Sequence, residues 1–507
     1  MSQSRKSFPS SVGIVGTGLM GRGIAQIAAQ AGIPVLLYDS RPEGAAEAKK
    51  EIVGVLEKLS TKGKITTEQQ TQASRCLGEA QALSDLANCE VVVEAIVEDI
   101  EAKQGLFSQL EAVVSDNCIL ATNTSSLSVT AIAAGCTRPE RVAGFHFFSP
   151  VPLMKIVEVI SGPRTNPHVA DRLTNLAEKM GHKPVRAADT PGFIVNHAGR
   201  GYPTEALRLL GENIGSAPGI DRILRLGAGF RMGPFELMDL TGLDVSQPVM
   251  ESIYNQYYQE PRFRPSPIAR QRLMAGLLGR KSQEGFYQYP NGQRMECSSG
   301  VVSGGERRSV WLSPSDCEAF PQVCALLDAI DAPRDTDEKP ASDSLCLLLP
   351  VGEDVTTRAV SLGIDPKRAV GLDPLFLNGC RTLMTTPITE PGYRDAAVTL
   401  LASDGIPVEV ISDSPGFVSQ RVVATIVNIA SDMAQQGVAT PDDIDQAVKL
   451  GLGYPLGPLA MGDKLGARTV LRILDNLFNF YRDPRYRPSP WLTRRALLNV
   501  SLLTSAT

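Results

Sequence analysis

The chain has 507 residues, 43% of them hydrophobic and 21% charged, with a formal net charge of -5; that length exceeds one hydrophobic core and sets an expectation of roughly two to four domains. Nothing in this weakly acidic balance calls for nucleic acid, no apolar run is long enough to span a membrane, and "MSQSRKSFPS" lacks the apolar core of a secretory signal. Nine cysteines without a C-x-x-C pair read as free thiols in a reducing, cytoplasmic setting, with no metal site and with small molecules as partners. "VGIVG" begins at Val12 and leaves no room for a transit peptide.

In chain order, "SVGIVGTGLMGRGIAQIAAQAGIPVLLYDS" predicts a short strand, a glycine turn, a helix and a second strand ending in Asp39. Gly16, Gly18 and Gly21 form G-x-G-x-x-G directly after a strand and at the opening of a helix, which is the context a dinucleotide requires. The turn needs Gly16, pyrophosphate approach needs Gly18, and helix packing needs Gly21. Leu19 and Met20 complete the loop, and the first helical N–H groups face the phosphates. Asp39 suits both ribose hydroxyls and would repel a 2′-phosphate, favouring NAD over NADP, although Arg41 stands close by in sequence.

A helix through "EGAAEAKKEIVGVLEKL", a basic turn "STKGKIT", the strand "CEVVVEAIVED", a helix around "AKQGLFSQLEAVV" and the strand "CILATNTSS" follow. Apolar strands alternating with helices predict a mainly parallel, doubly wound sheet. "TNTSS" falls at a strand's carboxyl end, where such sheets bind ligands, so Ser125 is a candidate site residue; a helix cap is the plainer reading of such a serine. "GFHFFSPVPLMKIVEVI" then places His146 and Glu158 in an almost unbroken apolar run of a chain with four histidines. A histidine so placed is more often a hydrogen-bonded core residue than a catalyst, and this window alone does not decide between the two.

These stretches, with "DTPGFIVN", "GFRMGPFELMDLTGLD" and "GRKSQEGFYQY", resemble the L-3-hydroxyacyl-CoA dehydrogenase family in family order over roughly residues 10 to 290. The resemblance implies a Rossmann-type NAD-binding domain followed by an all-α helical domain. It implies His146 as general base, Glu158 as its orienting carboxylate, and Ser125 and Asn196 as hydrogen-bonding partners of the substrate oxygen. Those residue types fit the chemistry: oxidising a secondary alcohol requires a base of near-neutral pKa for the hydroxyl proton, while a carboxylate fixes the ring and stabilises the imidazolium. By the same resemblance Glu98, Lys103 and Lys281 approach the cofactor or CoA, and Ser149 stands where the family usually has a cofactor-side asparagine. Ser60, Lys62 and Lys64 are candidates for the CoA 3′-phosphate, which needs cations. Gly199, Gly201 and Pro203 interrupt a helix start and suggest a close approach of substrate or of backbone.

The second half repeats the first. "DTPGFIVN…GIDRILRLGAGFRMGPFELMD" at 189–239 returns as "DSPGFVSQ…DIDQAVKLGLGYPLGPLAMGD" at 413–463, an offset of 224, and weaker echoes extend upstream. His146 falls on Asp373, Glu158 on Thr382, Asn196 on Gln420 and Ser125 on Gly352, and no G-x-G-x-x-G opens this half. The expected organisation is an NAD-binding domain at 1–187, a helical domain at 188–295, a degenerate, shortened α/β segment at 296–409 and a second helical domain at 410–507. "DAPRDTDEKPASDS" reads as a loop inside the degenerate part. Two helical domains on one chain predict an internal pseudo-dimer, with a further homodimer left open.

The activity implied is NAD-dependent, reversible oxidation of a 3-hydroxyacyl-CoA. The duplicated features resemble bacterial dehydrogenases of aromatic-acid catabolism acting on 3-hydroxyadipyl-CoA, with 3-hydroxybutyryl-CoA as the competing substrate. Oxidation of a free hydroxy acid, as in lambda-crystallin-like relatives, and a non-catalytic NAD-binding role are the alternatives.

Overall fold

The computed structural model describes residues 8–295, 304–315 and 317–505. Two compact units divide the chain, and the cut does not follow chain order. One holds the chain up to His197 together with Gln436–Leu452; the other holds Ala198–Gln435 and the chain from Gly453 onward.

The first unit is built on eight strands: β1 (Val12–Val15), β2 (Val35–Tyr38), β3 (Leu77–Glu79), β4 (Val91–Glu94), β5 (Ile119–Thr122), β6 (Val142–Phe147), β7 (Ile156–Ser161) and β8 (Lys183–Ala188). They lie in the order β3-β2-β1-β4-β5-β6-β7-β8. All neighbours pair parallel except β6 and β7, which run antiparallel. β1, β4 and β5 are buried at every position, because helices cover both faces and no alternation with polar residues is needed. Strand order reverses between β1 and β4, and the glycine turn sits at the carboxyl end of β1, at this switch point. The "CEVVVEAIVED" strand is confined to Val91–Glu94. Between the basic turn and β4 the chain also forms a helix at Thr67–Arg75, held by a capping box between Thr66 and Gln69, and the short β3 after it, neither of which its polar sequence announces.

The second unit contains most of both helical copies, without Gln436–Leu452, and a second sheet of β9 (Val310–Leu312), β10 (Arg334–Asp335), β11 (Leu345–Leu348), β12 (Ala369–Leu372), β13 (Arg381–Thr385) and β14 (Val408–Ser412), ordered β10-β9-β11-β12-β13-β14. Its β12–β13 pair is antiparallel, as β6–β7 is in the first sheet. β10 lies inside the segment that the sequence suggested was loop. Helix Gly201–Gly211 of the first helical copy packs on helix Ser419–Gln435 of the second, and a Cβ on Gly201 would stand 3.0 Å from Ile429 Cδ1. The close approach foreseen at Gly201 is therefore one of helix on helix.

The same connection recurs in both units. In the first, Ala188 N–H at the end of β8 donates to Val438 O at 2.8 Å, and helix Pro441–Leu452 packs on β7 and β8. In the second, Ser412 N–H at the end of β14 donates to Ile214 O at 2.9 Å. Residues 188 and 412, and 214 and 438, are repeat equivalents. Each sheet is thus edged by the helical copy that belongs to the other half of the sequence.

Candidate active site

The antiparallel register of β6 and β7 sets His146 directly opposite Glu158. His146 Nδ1 lies 2.6 Å from Glu158 Oε2, with the carboxylate fully buried and the imidazole only 4% exposed. The other carboxylate oxygen accepts Ile194 N–H at 2.9 Å and Val195 N–H at 2.8 Å. Those N–H groups are delivered by the "TPGF" turn, in which Phe193 takes a left-handed φ of 50°. With Nδ1 committed, Nε2 is the nitrogen left for a substrate. Phe148 packs on the ring at 4.4 Å between centroids and Phe193 at 5.7 Å, which excludes water from its sides.

His146 borders a cavity of about 350 Å³ shared with Ser125, Asn196, Glu98, Met20, Asn123 and Ser149. Asn196 Nδ2 donates to Ser125 O at 3.4 Å. Glu98 organises the strand-end loop: its Oε1 accepts Thr124 Oγ1–H at 2.7 Å, Ser125 N–H at 2.9 Å and Ser126 N–H at 3.1 Å. Burial works against its ionisation, but those bonds together with the Lys103 ammonium hold the Glu98 carboxyl below its ordinary value. Lys103 borders the same cavity yet is only 1% exposed, its ammonium 2.5 Å from Glu94 Oε1 and 3.3 Å from Glu98 Oε2.

The glycine loop has the shape a dinucleotide requires. Gly16 has φ +92°, and a Cβ there would fall 2.6 Å from Ala95 O; a Cβ on Gly21 would fall 1.9 Å from Gly16 O. A Cβ on Gly18 would meet nothing within 4 Å, so open space lies where a pyrophosphate must approach. Helix Leu19–Gln30 begins there with no side chain capping its first N–H groups, and Leu19 is exposed. Asp39 accepts Thr17 N–H at 2.9 Å and Thr17 Oγ1–H at 2.5 Å. Its partial burial favours the neutral form, but the bonds from Thr17 and Arg41 outweigh this and keep it below the ordinary carboxylate range. These residues fit an NAD adenosine and pyrophosphate.

Ser60, Lys62 and Lys64 lie where helix Gly44–Thr61 ends, with both lysines exposed. Lys281 belongs to the second unit, where its ammonium is 2.8 Å from Asp244 Oδ1. Two contributors went unnoticed in the sequence. Asn123 Oδ1 accepts Phe147 N–H at 2.9 Å and so ties β6 to the loop after β5; Glu94 accepts Thr122 Oγ1–H at 2.7 Å as well as Lys103. A glutamate closing the apolar run "VVVE" was the available signal for the second.

In the other half, Asp373 N–H donates to Thr382 O at 3.0 Å, so the echoed pair keeps its register while lacking an imidazole. Gln420 Nε2 donates to Asp373 Oδ1 at 2.9 Å, and Gln420 Oε1 accepts Gly352 N–H at 2.9 Å. The four equivalent positions still converge, on amide and backbone bonds. Burial pushes the Asp373 carboxyl up to about 6.

Comparison with known proteins agrees with this geometry. The 3-hydroxyacyl-CoA dehydrogenase NAD-binding domain matches residues 11–190, and the C-terminal domain of the same family matches twice, at 192–289 and 416–501. The chain is 39% identical over 487 residues to a 3-hydroxyadipyl-CoA dehydrogenase of Escherichia coli K12, covering 96% of this chain and 97% of that one. It is 43% identical to a probable 3-hydroxybutyryl-CoA dehydrogenase of Deinococcus radiodurans over 55% of this chain and 99% of the relative. A crystal structure of 3-hydroxybutyryl-CoA dehydrogenase from Escherichia coli K12 superimposes with a TM-score of 0.85 at 38% identity, covering 97% of this chain and 99% of that one. A glycine loop shaped for NAD, a histidine–carboxylate pair beside it and full-length similarity of this order place the chain in the 3-hydroxyacyl-CoA dehydrogenase family, as an NAD-dependent oxidoreductase.

Proposed function

We propose that His146 is the general base for oxidation of the 3-hydroxyl of an L-3-hydroxyacyl-CoA, and that 3-hydroxyadipyl-CoA is the preferred substrate. The observation that carries the first part is the His146–Glu158 contact of 2.6 Å at the wall of a cavity shared with the cofactor loop. With Nδ1–H donated to Glu158, the Nε2 lone pair takes the hydroxyl proton, and the buried carboxylate stabilises the imidazolium that results. Bound NAD supplies the hydride acceptor. Ser125 and Asn196 hold the substrate oxygen, a positioning role. Glu98, itself held by Lys103, sets the conformation of the Ser125 loop. Gly16, Gly18, Leu19, Met20, Gly21 and Asp39 hold the dinucleotide, Ser149 approaches it, and Ser60, Lys62 and Lys64 present donors to the CoA 3′-phosphate. In reverse, the imidazolium returns the proton to the ketone oxygen.

Support for the dicarboxylic substrate comes from the full-length relative named for 3-hydroxyadipyl-CoA, which matches both halves of the chain. We further infer that the two helical copies form an internal pseudo-dimer, which the exchange of sheet-edge contacts between halves favours. No described helix is long and apolar enough to cross a membrane, and the eight described cysteines are free, consistent with a reducing cytoplasm. A panel of short, medium and dicarboxylic CoA thioesters tests the substrate: the highest kcat/KM is expected for 3-hydroxyadipyl-CoA, and comparable values throughout sink that preference. His146→Ala is expected to lower kcat about 10²- to 10⁴-fold with NADH affinity retained. Turnover of free hydroxy acids but not of thioesters would replace the reading altogether.

A further inference from the structure

A further cavity lies in the second unit, lined by none of the residues assigned above. It measures about 700 Å³, against about 350 Å³ beside His146, and falls within the range of small-molecule pockets. One wall is made by the carboxyl ends of the second sheet: Cys317 and Glu318 follow β9, Val351 follows β11, and Pro374 and Leu375 follow β12. The chain runs from β9 to β10 on one side and then returns to β11 on the other. That reversal is the switch point at which open α/β sheets bind ligands. The degenerate half has lost the glycine loop but kept the crevice.

The facing wall is cationic. Lys464 lies in the last turn of helix Pro458–Leu465, the chain turns at Gly466 with φ +86°, and Arg468 and Arg472 lie one turn apart on helix Ala467–Tyr481; all three line the cavity. At the equivalent positions 224 residues earlier the chain carries Leu240, Asp244 and Pro248. The cations are therefore not a relic of the repeat; they are peculiar to the half that lacks catalytic residues. Among the described residues neither Lys464 nor Arg468 has a carboxylate partner, and the Arg468 Nε–H donates to Ala496 O at 3.1 Å. A solvated basic face is the ordinary fate of such residues, but here the charges border a concave site that also presents apolar Ala325, Leu326 and Leu377, polar Gln322 and Asn378, and Glu318 as an acceptor. Cations for phosphates, an acceptor for ribose hydroxyls and an apolar floor for a base are the complement of one ligand class.

We propose that this crevice binds a nucleotide of the adenosine diphosphate type, a moiety that NAD and CoA share, at a second site distinct from the catalytic one. Calorimetric titration of the full chain with ADP tests it. Two binding events per chain are expected, one in each half; Lys464→Glu with Arg468→Glu is expected to weaken the second at least tenfold, and Ala325→Trp, which fills the cavity without changing charge, to do the same. Pyrophosphate is expected to compete at this site and adenosine alone is not. Turnover of the thioester by both variants is expected to match the parent, since neither touches the catalytic cavity. A single event in the parent, two unaltered events in both variants, or adenosine binding as tightly as ADP overturns the proposal.

Discussion

Glu98 shows how one carboxylate sets a loop. Its pKa is depressed from 4.5, so the ties to Thr124, Ser125 and Ser126 contribute stability that is present above the unfolded value and lost as pH falls through the depressed folded one. Glu98→Gln is expected to unfold more readily than the parent at pH 7 and to converge with it as pH falls below 4.5, followed by thermal melts across that range. A gap that persists undiminished in acid would mean that the charge is not what matters. At this scale the sequence was legible where chemistry restricts residue choice: few side chains serve as a neutral-pH base, and His146 stands out in its apolar run. Glu158, Ser125 and Asn196 became readable through resemblance, because the contacts that assemble them span 12 to 71 residues. Asn123 and Glu94 were not read, since an asparagine in a loop and a glutamate at a strand end have many ordinary uses.

Among elements, the strands of the first sheet were legible because double burial writes them as continuous apolar runs. The helix at Thr67–Arg75 was not: it is mostly polar and buries only Ala73, leaving little periodicity to detect. Register is the property that local pattern conveys least. That His146 faces Glu158 follows from how β6 returns as β7, and a slip of one residue would turn Glu158 to the other face of the sheet. Helix packing offers a direct test. Gly201→Leu must push aside Ile429 and is expected to cost about 1–3 kcal/mol in urea unfolding, by overpacking. Ile429→Ala in the same chain is expected to restore part of that loss, and its failure to do so would point to helix backbone effects instead.

For the molecule as a whole, the duplication was plain from one offset, whereas the division into compact units was not, because it depends on which copy of a helix reaches which sheet. A polar cluster joins the two helical copies within the second unit. Arg421, fully buried, donates to Glu205 at 2.6 Å and Glu212 at 2.8 Å, and Tyr486 Oη–H donates to Glu205 at 2.6 Å. Arg421→Met leaves Glu205 buried with one fewer cation, a loss of about 3–5 kcal/mol for pairs of this kind. Arg421→Met with Glu205→Leu is expected to regain most of it in the same unfolding assay, and a double variant no better than the single would refute the pairing as the cause.

The bond from Ala188 to Val438 has a bearing on synthesis. A ribosome that has released every residue of the β1–β8 sheet has still to make the stretch that finishes its edge, about 250 residues downstream. Until then β8 and the face beside it wait without their partner, so the first domain to be translated is among the last to be completed. Completion of the first sheet is thereby coupled to arrival of the second half of the chain.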